Sequence, residues 1–80
     1  MHQQENNLPT ACVVIPTYNE ADNIEKTLLQ VIEVKHAIQS HTLKVLIVDD
    51  NSPDGTQTIV HKIMESYDDI YMITGTKVGL

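Results

Sequence analysis

The chain is 80 residues long, 41% hydrophobic, and carries a formal net charge of -6 with a single cysteine. That length supports one small domain, and the apolar fraction excludes a disordered tail. The acidic excess argues against a nucleic-acid binder working through a basic face, and a lone Cys12 excludes an internal disulfide or a zinc-ligand spacing.

Residues 1–10, MHQQENNLPT, are polar and lack the cationic start and apolar core of a targeting peptide. They read as a flexible leader. No apolar run approaches the roughly 20 residues of a membrane span, which places the chain in the cytoplasm or at the cytoplasmic face of a membrane. Ala11–Ile15 is an unbroken apolar run of strand length, and Pro16 is expected to end it. Such a run predicts burial on both faces, as in a parallel sheet, with Cys12 a small buried side chain.

Asn19 then reads as a helix cap and Asp22 as a first-turn acid. Ile24, Leu28, Val31, Ile32 and Ile38 recur at helical spacing to about Ser40. Leu43–Val48 is a second apolar strand, and Ser52 and Pro53 supply a cap and first turn for a second helix. Ile59, Val60, Ile63, Met64 and Tyr67 form that helix's buried stripe. Glu65, Asp68 and Asp69 read as a solvated turn before a third strand, Ile70–Ile73, in which Tyr71 packs and Met72 fills the core. His36, His41 and His61 share no metal-ligand spacing and read as surface residues.

The order β-α-β-α-β predicts an α/β fold with a parallel sheet and right-handed crossovers. The tail TGTKVGL stops where a third helix is due. The expectation is therefore the amino-terminal part of a larger enzyme, its first strand left with a bare edge.

In such a sheet, ligands collect outside the carboxyl ends of the strands. Two loops fall there, VVIPTYNE at Val13–Glu20 and VLIVDDNSPDGT at Val45–Thr56. Asp49 and Asp50 are neighbours on a strand, so their side chains point to opposite faces and only one faces a given cleft. The other is expected to brace the loop. Asn51, Ser52, Pro53, Asp54 and Gly55 are residues that bond their own backbone in compact turns. In the first loop Pro16 sets the strand exit, Tyr18 offers a flat face to a base, and Glu20 places a carboxylate at a helix start. Adjacent parallel strands bring the two loops side by side.

The segments PTYNE and VDDNSPDGT at this spacing resemble the amino-terminal part of a family 2 glycosyltransferase with the GT-A fold. The DDNSPDGT form is most similar to the polyprenyl-phosphate (dolichol-phosphate) mannosyltransferases. The resemblance spans residues 11–80 and implies the opening half of a three-layer, Rossmann-like nucleotide-binding domain, here incomplete. It implies transfer of mannose from GDP-mannose to a polyprenyl phosphate at a membrane surface, with inversion. By the same resemblance Pro16, Tyr18, Glu20, Val48 and Asp50 bind the donor nucleotide. Asn19, Asp49, Asn51, Ser52, Asp54 and Gly55 support them. Lys77, in the Lys77–Leu80 start of a Lys-x-Gly-Leu segment, becomes a phosphate contact. The family's Asp-x-Asp ligands for Mg²⁺ or Mn²⁺ would lie beyond Leu80, so the 80 residues alone are expected to hold no metal and to be inactive.

Three rivals bear on the same residues. A UDP-sugar donor differs in a feature these loops do not fix. A non-catalytic product that only binds nucleotide or a partner differs in the downstream sequence. LKVLIVDDN also resembles the opening strand of a receiver domain, but a complete strand-loop-helix precedes it and no phosphoacceptor Asp follows Asp69.

Overall fold

The structure, a computed structural model, describes residues 8–75. Its elements in chain order are β1 (Thr10–Thr17), α1 (Ile24–Ala37), β2 (Thr42–Asp49), α2 (Thr56–Ser66) and β3 (Ile70–Thr74). The three strands form one parallel sheet in the order β1-β2-β3. Parallel neighbours need a crossover, and each helix supplies one.

Alternation along β2 decides the layering. Leu43, Val45, Ile47 and Asp49 are buried, while Thr42, Lys44, Leu46 and Val48 between them are half-buried. The buried set faces both helices. Ile24, Leu28 and Ile32 of α1 and Val60 and Ile63 of α2 join Val45, Ile47 and Ile70 in one core. Both helices therefore lie on the same side of the sheet, and the two crossovers share one hand.

The opposite face of the sheet is open among the described residues. Cys12, Val14, Tyr71 and Ile73 are exposed there, which corrects the expectation of a buried Cys12 and a packed Tyr71. Burial on both faces needs a third layer, and residues 8–75 build two. Tyr67 is also at the surface, since it follows the last turn of α2 with extended backbone.

Several element boundaries differ from the sequence reading. α1 ends at Ala37 rather than near Ser40, because Ile38 already has extended backbone, and each strand is longer at one or both ends. The passage of β1 through Pro16 and the starts of the two helices each have a local reason. β1 continues through Pro16 to Thr17. The Thr17 carbonyl accepts from the Asp50 N–H at 3.0 Å, and backbone groups alternate sides along a strand. The nitrogen of Pro16 therefore faces away from β2, where no ladder bond is lost. Asn19 is not the cap of α1; it has a left-handed backbone (φ 55°), and the helix begins after Asn23. The Glu20 carbonyl receives the N–H groups of Asn23 and Ile24 at 2.9 and 2.8 Å. Ser52 and Pro53 do not open α2 either, because its N-cap is Gly55 at φ 95°, a conformation that favours glycine.

At the amino end of the sheet, Asp69 turns the chain with φ 65°. Its carbonyl accepts from the Val45 N–H at 2.8 Å. Its carboxylate meets Lys44 at 3.1 Å and Lys35 at 3.6 Å, and Lys44 lies 5.7 Å from the Tyr71 ring centre. The acidic turn is thus an ion-paired clasp between α1, β2 and β3. The Lys44 hydrogen bond holds the Asp69 carboxyl below the usual carboxylate range.

Candidate functional site

At the carboxyl ends of the strands lies a cleft of about 530 Å³, within the usual range for small-ligand sites. Pro16, Thr17, Tyr18 and Glu20 line it from β1 and its loop, Val48, Asp49 and Asp50 from β2, and Ile73, Thr74 and Gly75 from β3. The five residues expected to contact a nucleotide are all in this lining. Asn19, Asn51, Ser52, Asp54 and Gly55 are not, and four of the supporting residues instead tie the loops together from behind.

The two aspartates of the pair have separate fates. Asp49 is 1% exposed on the helix side of the sheet. Its Oδ1 accepts from the Thr17 hydroxyl at 2.6 Å and the Ser52 hydroxyl at 2.7 Å. Its Oδ2 accepts from the Ser52 N–H and the Gln57 amide, both at 2.8 Å. Burial pushes this carboxyl up, but the bonds from Thr17, Ser52 and Gln57 together outweigh it and hold the pKa at about 2. A buried carboxylate with four donors is a brace. Asp50, one residue on, is half-buried and lines the cleft. Its N–H is fixed on Thr17, and no hydrogen bond within the described residues occupies its carboxylate.

Three further bonds join the loops. The Ser52 hydroxyl accepts from the Asn19 N–H at 2.9 Å, the Thr56 hydroxyl from the Glu20 N–H at 3.0 Å, and Asp54 Oδ2 from the Ala21 N–H at 3.0 Å. Asp54 Oδ1 also accepts from the N–H and hydroxyl of Thr56, capping the first turn of α2 from outside it. The Thr56 hydroxyl is the largest influence holding the Asp54 carboxyl low. Asn19 and Asn51 both turn through the left-handed region, at φ 55° and 56°. Asn tolerates that region better than most residues, so each strand exits into its loop by the same device.

Sequence reasoning passed over Thr17, Thr56 and Gln57, which complete the brace, and Ile73, Thr74 and Gly75, which wall the cleft. Gln57 carries no local signal, because only the fold brings it back to Asp49. The end of β3 joins the site through the folded register, which pairs Ile73 with Val48 and Thr74 with Asp49. Lys77 lies outside the described residues.

A divalent cation does not fit this site. Among the described residues no group of three or more His, Cys, Asp or Glu is placed to hold one. Both Asp49 oxygens are already engaged, which leaves Asp50 and Glu20 as the two carboxylates of the lining. The chemistry available here is recognition: an aromatic face, acceptor groups and an apolar floor.

A parallel α/β sheet with such a cleft at its strand ends is the architecture of a nucleotide-binding domain, and the comparisons with known proteins narrow it. Residues 12–80 match the family described as glycosyl transferase family 2. Glycosyltransferase AglE of Haloferax volcanii is 38% identical over 66 residues, 82% of this chain and 21% of that protein. The dolichol-phosphate mannosyltransferase of Pyrococcus furiosus is 34% identical over 69% of this chain and 15% of its own length. The solved mannosyltransferase PcManGT of Pyrobaculum calidifontis, in complex with GDP-Man and Mn²⁺, superposes with a TM-score of 0.69 at 31% identity. That match covers 92% of this chain and 21% of that one. The chain belongs to glycosyltransferase family 2, and its β-α-β-α-β sheet is part of a GT-A fold. It spans about a fifth or less of the length of these relatives. No helix among the described residues is long and apolar enough to cross a membrane.

Proposed function

We propose that the chain forms the donor-nucleotide half-site of a mannosyltransferase that takes GDP-mannose and passes mannose to a polyprenyl phosphate of the dolichyl type, with inversion. The single observation that carries this reading is the division of labour in the aspartate pair. Asp49 is immobilised by four donors, and Asp50 is left beside Tyr18, Glu20, Pro16 and Val48 in the cleft. Asp50 accepts from base N–H groups, the Tyr18 ring takes a stacked face, and Glu20 accepts from ribose hydroxyls. The mannosyltransferase neighbour and the dolichol-phosphate mannosyltransferase relative support the choice of donor and acceptor.

In the transfer, an acceptor phosphate oxygen bonds to the anomeric carbon as the bond from that carbon to the nucleoside diphosphate breaks. The electron pair leaves with the diphosphate. The residues described here bind and orient the nucleotide and leave the bond change to groups elsewhere. Mg²⁺ or Mn²⁺ belongs to the reading as the diphosphate's partner, with ligands outside residues 8–75. A polyprenyl acceptor puts the reaction at a membrane surface, on its cytoplasmic side. Lys77 is proposed as a phosphate contact of the same site.

The test is a titration of the chain with GDP, GDP-mannose and UDP, followed by amide-correlation NMR. GDP should shift Tyr18, Glu20, Val48 and Asp50, and Asp50→Ala should weaken GDP at least about tenfold, the worth of one charged hydrogen bond. Unmoved amides at these positions sink the assignment. Tighter binding of UDP would transfer it to a UDP-sugar donor.

A further inference from the structure

The cleft takes in the open face of the sheet at its strand ends, and its floor there has a regular construction. Pro16 pairs in register with Val48, and Val48 with Ile73. These three residues stand in one row across all three strands, and all three line the cleft. Their alternation partners Thr17 and Asp49 are buried on the other side, so the row belongs to the open face. Pro16 and Ile73 are exposed, Ile73 at 55%, and Val48 is half-buried between them. Beside this row Asp50 lines the same cleft, and among the described residues no hydrogen bond occupies its carboxylate.

Parallel strands lie about 4.8 Å apart, so a row across three strands is about 10 Å long. A fused two-ring base covers such a row from end to end, whereas a single ring covers about two of its three residues. Asp50 follows Val48 of the middle strand by two positions and lines the same cleft, so alternation puts it on the side of the sheet that carries the row. Its two oxygens can accept together from a base edge that offers two adjacent N–H donors. An edge with one donor flanked by carbonyl oxygens satisfies one oxygen and repels the other.

We infer that Ile73 is a specificity-determining residue: it completes a three-strand apolar floor that selects a purine base with paired donors over a pyrimidine. The inference rests on the donor reading above and adds to it a residue, a face of the sheet and a basis for base selection. A pyrimidine nucleotide occupies the Pro16–Val48 end of the floor and leaves Ile73 bare. The outer edge of β3 thereby acts on the base without any polar contact.

The experiment compares GDP and UDP dissociation constants, by calorimetry, for the chain and its Ile73→Thr, Ile73→Val and Asp50→Asn variants. Thr and Val keep the β-branch, so the exposed strand retains its propensity. Ile73→Thr is expected to weaken GDP about fivefold through lost apolar contact and to change UDP by less than about twofold. Ile73→Val should restore most of the GDP affinity. Equal weakening of both nucleotides by Ile73→Thr, or none while Asp50→Asn still weakens GDP, overturns the role of Ile73 and leaves the donor site standing. Indifference of both nucleotides to Ile73→Thr and to Asp50→Asn overturns the donor reading itself, and this inference with it.

Discussion

At the scale of single residues, two adjacent carboxylates differ because strand alternation sends one into the interior and the other into the cleft. Asp49→Ala leaves the buried Thr17 hydroxyl and the half-buried donors of Ser52 and Gln57 without an acceptor. Such loss costs about 3 kcal/mol, and urea unfolding should report it. Asp50→Ala removes a carboxylate that makes no hydrogen bond among the described residues and should leave stability within about 0.5 kcal/mol. Similar costs for the two variants would mean that Asp49 is not the brace. The local chemistry of this pair was legible as an alternation. Alternation alone did not say which aspartate braces and which faces out, because nothing in it tells on which side of the sheet the helices pack. Only the family resemblance assigned Asp50 to the nucleotide and Asp49 to the loop.

At the scale of elements, α1 is held by its inner stripe. Leu28 is fully buried against β2 and α2, whereas its neighbour Leu29 is 41% exposed. Leu28→Ala should cost about 3 kcal/mol through lost transfer energy and the cavity left behind. Leu29→Ala should cost under about 1 kcal/mol, and thermal unfolding of the two variants checks the contrast. The apolar period fixed this stripe in advance, and Ile24, Leu28 and Ile32 are buried as the spacing predicts. The helix starts were less readable. Ser52 has the composition of a cap, but its hydroxyl is engaged by the Asn19 N–H and by Asp49, a tertiary contact that displaced the local preference. Asn19 instead turns the chain in the left-handed region.

At the scale of the molecule, the acidic network makes stability depend on pH at the acid end. The Asp49 pKa falls from 3.8 to about 2 on folding. A carboxyl whose folded pKa is depressed adds stability that is fully present above its unfolded value and is lost as pH falls through the folded one. For Asp49 the contribution is on the order of 2 kcal/mol. Asp54 and Asp69, also held low, act with the same sign. Stability should therefore be flat near neutrality and decline below about pH 4, as urea midpoints across that range would record. In Asp49→Asn the decline should be shallower, and an unchanged slope would remove Asp49 as its main source.

The sequence by itself determined the element order, the parallel α/β class, the helix stripes and the two loops that carry the cleft. All of these follow from local periodicity and from turn-forming residues. The tertiary structure alone decided that both helices share one face, that Thr17 and Gln57 converge on Asp49, and that β3 ends beside Val48. Each of those is a meeting of residues brought together by strand register, and register arises only when the crossovers have packed against the sheet.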